Sequence, residues 1–397
     1  GGHSMSIFLE VEGTSPTEVH GYLAIDSLVD GEAHGGLRLS DDVSPDLLRA
    51  AAHTMTLKYG FSRLPVGGAK AAIIVPADLP PEKRRLLLHA FGRALRPYLS
   101  TGAYVPGEDM GTTSDDVDEL QRAAGVRPHS HGLIRTRSGQ YTGTSVCSAA
   151  LAMADIAGIA AEPLTVAIEG FGSVGSAAAA EFRRRGIRVI AVSTRSGAVH
   201  NEAGLDVPLM LDIRAKVGDD VVNDRSLGDP VKPEDIGALG AHIFSPCAIM
   251  HSVTAQRART LAALIVSPGA NVPYTREAER VMWERGILYL PDFVANCGGV
   301  LGSSALRAGV AHERVQDYIR RTLDTETRTL VLSAREQSRP VSEIAEEVAM
   351  ERFEYGKAAY ERASPSRALF RAAVGLHRRG LVPRPIASLA AERYFDL

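Results

Sequence analysis

The sequence predicts an α/β fold of two domains, with helices at the C-terminal end of the chain. Three observations support this fold class. A chain of 397 residues is long enough for two domains, short apolar runs alternate with helical segments, and the residues after Gly302 follow a mostly helical pattern. Strands that alternate with helices indicate a parallel sheet covered on both faces. We expect domains over residues 5–143, 144–300 and 301–397.

The first third of the chain carries clear element signals. The apolar run Tyr22–Ile25 predicts a strand. Ser44–Asp46 predicts the start of a helix, because it supplies a capping hydroxyl, a proline in the first turn and an acid at the positive end of the helix dipole. Lys58 falls near the end of this helix, and Pro81 opens a second amphipathic helix.

Composition and charge exclude several classes of function. The net charge of −3 creates no basic field for nucleic acid or an anionic membrane, and no apolar run reaches the ~20 residues of a spanning helix. The three cysteines are far apart in sequence, with no CxxC pair or Cys/His cluster, so we predict no metal site. Sparse cysteine and no secretory signal after Met5 favour the cytoplasm. Gly1–Ser4 resembles an expression scar.

A glycine-rich loop predicts a dinucleotide site. The β-rich run Leu164–Ile168 is followed by Gly170-x-Gly172-x-x-Gly175 and then by an Ala-rich helix. In such loops the first glycine makes the tight turn, the second admits a pyrophosphate, and the third lets helix and strand pack closely. The strand–turn–helix context makes the motif more specific than the glycines alone. The amides of Ser173 and Val174 would face the anion at the helix N-terminus.

The tip of the next strand bears on the choice of dinucleotide. An acid is expected here in a site specific for NAD, where it binds the ribose. This sequence has Ser193, Thr194 and Arg195 instead. A missing acid and an added cation suit a 2′-phosphate, so these residues favour NADP. The alternative is that Arg195 is a solvated surface residue and that the protein accepts NAD.

Two lysines and an aspartate form a candidate catalytic group. Lys70 directly follows the glycine-rich stretch 65–69, so a ligand can approach it closely. A second lysine nearby, Lys58, favours the neutral amine that a general base needs, or binds a substrate carboxylate. Asp109 could move protons between reacting groups. Taken singly, each residue is better explained as a solvated lysine or a turn aspartate.

Several segments in order resemble the glutamate/leucine/phenylalanine/valine dehydrogenase family. The resemblance implies an N-terminal α/β substrate-binding and oligomerisation domain, a Rossmann domain with a cleft between the two, and C-terminal helices that pack back towards the first domain. It also implies a homo-oligomeric enzyme that interconverts an L-amino acid with its 2-oxo acid and ammonia, using NADP or NAD. The matching segments are Gly35–Arg38, Met55–Lys58, Pro65–Lys70, Gly107–Thr112, Gly170–Gly175 and Pro291–Val300.

The resemblance also implies roles for individual residues. Lys70 would be the catalytic lysine and Asp109 the proton-shuttling acid. Lys58 would hold the substrate α-carboxylate together with the backbone of Gly35 and Gly36. The remaining positions lie later in the chain: Asn296 beside the substrate amino group, Thr142 and Asn271 at the nicotinamide, and Cys247 in a cofactor-side loop, with a simple strand-end turn as the alternative for Cys247.

The side-chain pocket departs from the family's known patterns. The resemblance places His34, Gly107 and Ser303 around the substrate side chain, with Val300 beside them. Glutamate-specific members carry lysine at the position of His34, and leucine- and phenylalanine-type members carry leucine. A polar or unusual substrate side chain is one interpretation; the other is that His34 points away and the pocket is apolar. Ala71–Ala72 also replaces two glycines of many members.

Two other functions remain open at this point. A hydroxy-acid dehydrogenase would need a catalytic histidine paired with a carboxylate, but His129, His131 and His251 lie in no motif of that kind. A non-catalytic regulatory homologue would keep the fold without needing both Lys70 and Asp109.

Overall fold

The computed structural model describes residues 7–13, 19–76, 79–128, 132–160 and 163–361. The chain forms two compact units. The first comprises the described parts of Gly1–Arg135 and Val348–Ser364, and the second contains the described part of Thr136–Glu347. Among the described residues, no helix combines the length and the apolar character needed to cross a membrane.

The first unit is built on a five-stranded mixed sheet. The strand order is β1-β2-β4-β3-β5, in which β1 pairs with β2 and β2 with β4 antiparallel, while β3 pairs parallel with β4 and β5. The predicted strand at Tyr22 is confirmed, because it lies within β2. The strands are β1 (Ile7–Glu12), β2 (His20–Ile25), β3 (Ala33–Ser40), β4 (Gly67–Ile74) and β5 (Val105–Glu108).

Helices cover both faces of this sheet. On one face, Leu48 and Ala52 of the first helix pack against Ala72 of β4. On the other face, Leu88 and Leu120 of two later helices pack with alternate residues of the central strands. The predicted helix starts at residues 44–46 and 81 are confirmed, and the Ser44 Oγ accepts from the Leu47 N–H (3.3 Å). The helices are α1 (Pro45–Phe61), α2 (Pro81–Ala94), α3 (Arg96–Thr101) and α4 (Ser114–Ala123).

The second unit contains a seven-stranded sheet. The strand order is β12-β11-β10-β6-β7-β8-β9. The expected parallel arrangement is confirmed from β12 to β7, but β8 and β9 are antiparallel. Only residues 195–196 separate β7 from β8, and a two-residue link permits a hairpin but no parallel crossover. The strands are β6 (Thr165–Glu169), β7 (Arg188–Thr194), β8 (Gly197–His200), β9 (Asp229–Val231), β10 (Ile243–Pro246), β11 (Ile265–Val266) and β12 (Leu288–Tyr289).

The helices of the second unit connect these strands and continue towards the C-terminus. Two 3₁₀ helices, Gly218–Asn223 and Pro233–Ala238, lie between β8 and β10. The α-helices are α5 (Gly132–Ile156), α6 (Ser173–Arg184), α7 (Val207–Val217), α8 (Ala255–Thr260), α9 (Arg276–Glu284), α10 (Asp292–Ala295), α11 (Gly298–Arg307), α12 (His312–Gln337) and α13 (Val341–Glu361).

The C-terminal part of α13, from Val348, belongs to the first unit. A side chain on Gly60 of α1 would come within 2.8 Å of the Phe353 Cβ, so the glycine lets the two helices approach closely. Arg352 donates to the carbonyl oxygen of Phe61 (3.2 Å) and thereby helps to close the end of α1. The C-terminal helices expected from the sequence are therefore present as far as residue 361.

Candidate active site

One face of the first sheet collects the candidate catalytic residues. Successive residues of a strand point to opposite faces. Leu37 of β3 and Ala71 of β4 belong to the core on the α2 side, so Arg38 and Lys70 point towards the α1 side. Asp109 follows directly after β5 and reaches the same face, because its carboxylate contacts both cations.

Arg38, Lys70 and Asp109 form a buried group of charges. The Asp109 Oδ2 lies 3.0 Å from the Lys70 Nζ and 3.0 Å from the Arg38 Nε. The three side chains are at most 9 % exposed. Burial alone would raise the pKa of Asp109, but the charges of Lys70 and Arg38 and the hydrogen bonds from Lys70 and the Met110 backbone lower it to about 2. The carboxylate is therefore ionised near neutral pH.

Arg38 lies in the family-like segment Gly35–Arg38 but had no predicted role. The structure makes Arg38 the second cation on Asp109. Alternation along β3 could have indicated this placement, since an arginine two residues after Gly36 must share its face. What the alternation could not supply was the partner, which lies 71 residues further along the chain.

Backbone contacts hold Asp109 in place. Its N–H donates to the Thr112 Oγ1 (2.9 Å), and that hydroxyl donates to the Leu37 carbonyl (2.7 Å). Gly111 has φ +79°, and a side chain there would overlap the Leu39 carbonyl oxygen. The Gly107–Thr112 segment is therefore tied to β3 at two points, which fixes the carboxylate relative to Lys70.

Glycines next to this charged group add no side chains to the surface of the sheet. A side chain on Gly36 would lie 2.7 Å from the Asp109 Cβ, so none can be accommodated. Gly36 pairs in register with Gly107. At Gly107 an added Cβ would meet nothing within 4 Å in the described part of the chain. A side chain on Gly35, on the opposite face, would overlap the Ala69 carbonyl. The sheet surface is therefore open at Gly107, and Gly36 places no side chain between this position and Asp109.

His34 and Lys58 border the same face. The His34 Nε2 contacts the Glu32 carboxylate, and the His34 ring is edge-on to Tyr59 of α1 at 6.0 Å between centroids. Alternation places His34 on the same side as Gly36. Lys58 is buried in the last turn of α1. The first unit therefore brings positions 34–36, which the sequence singled out, close to Lys70 and Asp109.

The glycine-rich loop of the second unit has the geometry that the motif predicts. Gly170 has φ +89°, and a Cβ there would lie 2.7 Å from the Ala248 Cα. Gly172 is the N-cap of α6, and an added Cβ would meet nothing within 4 Å in the described residues. A side chain on Gly175 would overlap the Gly170 carbonyl. The first glycine makes the turn, the second is open, and the third allows close packing.

The tip of β7 lies beside this loop. The Gly170 N–H donates to both the carbonyl and the hydroxyl oxygen of Ser193 (3.1 Å each). The Thr194 Oγ1 donates to the Asp219 carbonyl (2.7 Å), and the Arg195 Nε donates to the Asp219 Oδ2 (2.6 Å). Asp219 was not among the expected site residues, because it lies 24 residues beyond the strand tip.

Cys247 lies in a turn that contacts the same loop. Its N–H donates to the Glu169 carbonyl (2.7 Å). Burial of the thiol raises the pKa of Cys247 to about 11, so the thiol is neutral near pH 7. Beneath the loop, the Glu169 carboxylate pairs with Arg257. The turn therefore supports the loop through its backbone, and its thiol is not a nucleophile at neutral pH.

The positions expected at the nicotinamide and amino group come together elsewhere in the second unit. The Asn296 Nδ2 donates to the Asn271 Oδ1 (3.2 Å) and to the carbonyls of residues 269 and 270. The Asn296 Oδ1 is buried without a hydrogen-bond partner among the described residues. A Cβ on Gly299 would lie 2.7 Å from the Thr142 Oγ1, so Thr142 borders the start of α11.

The remaining expected positions lie on α11 or outside the site. Val300 is half-buried and Ser303 is buried, one helical turn apart on α11. His129 and His131 lie outside the described residues. His251 has φ +52°, and its N–H donates to the Val272 carbonyl (2.9 Å).

Comparison with known proteins covers nearly the whole described chain. Residues 4–124 match the Glu/Leu/Phe/Val dehydrogenase dimerisation domain, and residues 134–361 match the glutamate/leucine/phenylalanine/valine dehydrogenase domain. The chain is 32 % identical to a glutamate dehydrogenase of Thermotoga maritima over 295 residues, 70 % of each protein. It is 31 % identical to an NAD-specific glutamate dehydrogenase of Staphylococcus aureus over 297 residues, again 70 % of each.

Solved structures share the fold at lower identity. A hetero-hexameric glutamate dehydrogenase from Thermus thermophilus superposes with a TM-score of 0.76 at 23 % identity, covering 91 % of this chain and 90 % of that one. An L-tryptophan dehydrogenase from Nostoc punctiforme superposes with a TM-score of 0.61 at 22 % identity, covering 88 % and 96 %. The chain thus belongs to the glutamate/leucine/phenylalanine/valine dehydrogenase family and is an NAD(P)-dependent amino-acid dehydrogenase.

Proposed function

We propose that Lys70 and Asp109 are the acid–base pair with which this protein deaminates an L-amino acid to its 2-oxo acid and ammonia, and runs the reverse amination. One observation carries the proposal: the Lys70 Nζ and the Asp109 Oδ2 lie 3.0 Å apart, buried, beside the paired glycines Gly36 and Gly107. A buried ion pair is costly to desolvate and is weak evidence for stability. Its place beside the open position at Gly107 favours a role in chemistry.

The chain's own residues would hold the substrate on this face. Lys58, buried at the end of α1, would bind the α-carboxylate through a charge-assisted hydrogen bond. The backbone of Gly35 and Gly36 would help to hold the same group. Because Gly36 carries no side chain, the substrate α-carbon can approach Lys70 and Asp109 directly.

The proton steps follow from the pair's electrostatics. Arg38 and Lys70 keep Asp109 ionised before substrate binds, so it can accept a proton. Asp109 would first take a proton from Lys70, which leaves a neutral amine. Once the α-carbon has lost its hydride, this amine would take a proton from the attacking water as the C–O bond forms. Asp109 would pass this proton to the departing nitrogen and then take up the hydroxyl proton as the C=O bond forms and the C–N bond breaks, which releases ammonia and the 2-oxo acid. Such groups typically contribute 10²–10⁴-fold each.

The glycine-rich loop would hold the dinucleotide, which supplies the hydride acceptor. The open position at Gly172 fits a pyrophosphate at the N-terminus of α6, where the amides of Ser173 and Val174 are available. The buried Asn296 Oδ1, which has no hydrogen-bond partner among the described residues, suits a polar ligand group, as the substrate amine or the carboxamide would be. Thr142 and Asn271 would orient the nicotinamide, while the turn with Cys247 supports the loop.

We further propose that the preferred substrate has an uncharged side chain. In β3, β4 and β5 the basic residues are His34, Arg38 and Lys70. Arg38 and Lys70 both contact Asp109, and the His34 Nε2 contacts Glu32. A second substrate carboxylate placed at His34 would meet the Glu32 carboxylate and be repelled.

The shape of the face supports the same substrate class. The open position at Gly107 leaves room for a bulky group, and the rings of His34 and Tyr59 provide edges for aromatic contact. We therefore propose a large, uncharged side chain rather than the acidic side chain of glutamate, the substrate named for the relatives above.

An ammonium-dependent screen tests the reaction and the substrate together. Purified protein is supplied with NADH or NADPH, ammonium and a panel of 2-oxo acids, and oxidation is followed at 340 nm. Ammonium-dependent oxidation with bulky neutral 2-oxo acids supports both proposals, whereas a preference for 2-oxoglutarate refutes the substrate class alone. Oxidation without ammonium indicates a hydroxy-acid dehydrogenase, and no oxidation indicates a regulatory homologue.

We propose, finally, a homo-oligomer in the cytoplasm. The family model that matches residues 4–124 is described as a dimerisation domain, and the Thermus protein of similar fold assembles as a hetero-hexamer. In the described part of the chain the three cysteines form no disulfide, as is usual in a reducing compartment. Light scattering of the purified protein tests the assembly, and a monomer at micromolar concentration would refute it.

A further inference from the structure

An acid stands at the strand tip where the sequence showed none. Thr194 is the last residue of β7 and Arg195 begins the following turn, and neither carries a carboxylate. The side chain of Asp219 nevertheless lies against Arg195. We propose that Asp219 selects the dinucleotide by binding the adenosine ribose, and that the protein prefers NAD to NADP. This inference rests on the proposed role of the glycine-rich loop, and it reverses the preference that the sequence suggested.

The fold holds Asp219 at this place by two contacts. The 3₁₀ helix Gly218–Asn223 begins next to the β7–β8 hairpin, and the Thr194 hydroxyl donates to the Asp219 carbonyl (2.7 Å). The Arg195 Nε donates to the Asp219 Oδ2 (2.6 Å). Val221 and Val222 of the same 3₁₀ helix are buried and anchor the segment. The carboxylate therefore belongs to the strand tip in space, although it is distant in sequence.

The strand tip is directly connected to the loop. The Gly170 N–H binds both oxygens of Ser193, the residue before Thr194. In this arrangement of strand, loop and helix, a dinucleotide with its pyrophosphate on the loop extends its adenosine ribose to the tip of the second strand. An acid at that tip accepts a hydrogen bond from the ribose 2′-hydroxyl, and it repels a 2′-phosphate.

Arg195 does not reverse this effect. Its side chain is 91 % exposed, and the charge it offers is matched by the Asp219 carboxylate, which is 30 % exposed. A 2′-phosphate, with close to two negative charges at neutral pH, would have to approach this carboxylate as well as the guanidinium. A ribose hydroxyl can donate a hydrogen bond to Asp219 without disturbing the Arg195–Asp219 pair. Arg195 thus orients Asp219 instead of binding phosphate.

Fluorescence titration with NADH and NADPH tests the proposal without relying on turnover. We expect the full-length protein to bind NADH more tightly than NADPH. Asp219→Asn removes the charge at constant shape, and we expect it to weaken NADH about tenfold and to leave NADPH unchanged or tighter. Asp220→Asn makes the same change at the neighbouring acid and should preserve both affinities. An unchanged affinity ratio in the Asp219 variant, or an equal loss for both dinucleotides, refutes the proposal.

Arg195→Gln separates the two interpretations of the arginine. If Arg195 orients Asp219, the variant weakens NADH by a few fold and spares NADPH. If Arg195 binds a 2′-phosphate, the variant weakens NADPH selectively, and our inference is wrong. Binding of neither dinucleotide to the unmodified protein would instead refute the role of the glycine-rich loop, so the two failures are distinguishable.

Discussion

Two groups of charges in this molecule differ mainly in burial. Arg38, Lys70 and Asp109 are at most 9 % exposed and share one carboxylate oxygen, whereas Arg195 is 91 % exposed beside Asp219. Removing one member of a buried group leaves an uncompensated charge, but an exposed pair contributes about 0–1 kcal/mol to stability. The proposed catalytic group is therefore expected to affect folding as well, while the proposed dinucleotide-selecting pair can be changed with little effect on folding.

The largest effect should follow the loss of the lysine in the buried group. We expect Lys70→Ala to lower kcat by about 10³-fold, because the base that activates water is gone. NADH binding, measured by fluorescence, should be unchanged, since the glycine-rich loop belongs to the other unit. Turnover equal to that of the unmodified protein would remove the proposed mechanism.

Loss of the acid should affect stability in a way that depends on pH. The pKa of Asp109 is lowered to about 2 from an ordinary value of 3.8, so its ionised form stabilises the folded state above about pH 4. This contribution, on the order of 2 kcal/mol, is lost as the pH falls from about 4 to 2. We expect Asp109→Asn to be less stable than the unmodified protein at pH 7.

Urea denaturation at pH 7 and at several values between pH 4 and 2 measures this effect. The difference in free energy of unfolding between the two proteins should shrink towards the acid end. Asp115→Asn, a change at an exposed acid in the first turn of α4, serves as the control. A difference that is constant over this pH range would contradict the electrostatic account of Asp109.

A smaller effect should appear at the edge of the catalytic face. Glu32→Gln removes the negative charge beside His34 and keeps its shape. We expect the ratio of kcat/KM for 2-oxoglutarate to that for a bulky neutral 2-oxo acid to rise about tenfold, because the repulsion of the distal carboxylate is relieved. Glu10→Gln, on β1, is the matched control. A ratio that stays the same would argue against Glu32 as a selector.

The smallest effect concerns the exposed pair. We expect Arg195→Gln and Asp219→Asn to change the free energy of unfolding by less than about 0.5 kcal/mol each, as exposed substitutions usually do. Their dinucleotide affinities should change nonetheless. Thermal or urea denaturation measures these changes. A decrease of several kcal/mol in the free energy of unfolding would show that the Arg195–Asp219 pair contributes to stability as a buried group does.

Much of the fold and of the candidate site could be predicted from local sequence. Local sequence patterns of a few residues predict the start of α1 and the glycine-rich loop. Such patterns also mark the separate segments that carry Lys70 and Asp109. The partners of charged residues have no such signal. The Arg38–Asp109 contact joins residues 71 positions apart, and Arg195–Asp219 joins residues 24 positions apart. Only the register of the sheet and the packing of a 3₁₀ helix bring these atoms together.

The paired glycines at positions 36 and 107 bear on how this scaffold can evolve. A methyl group at 36 would press on the Asp109 side chain, whereas one at 107 would enter open space as far as the described residues extend. At 107, a proposed pocket position, mutation can therefore change the side-chain size in small steps without disturbing the proposed catalytic pair. Gly36, which pairs with Gly107 on the neighbouring strand, has no space for a side chain. Only position 107 of this pair can therefore vary.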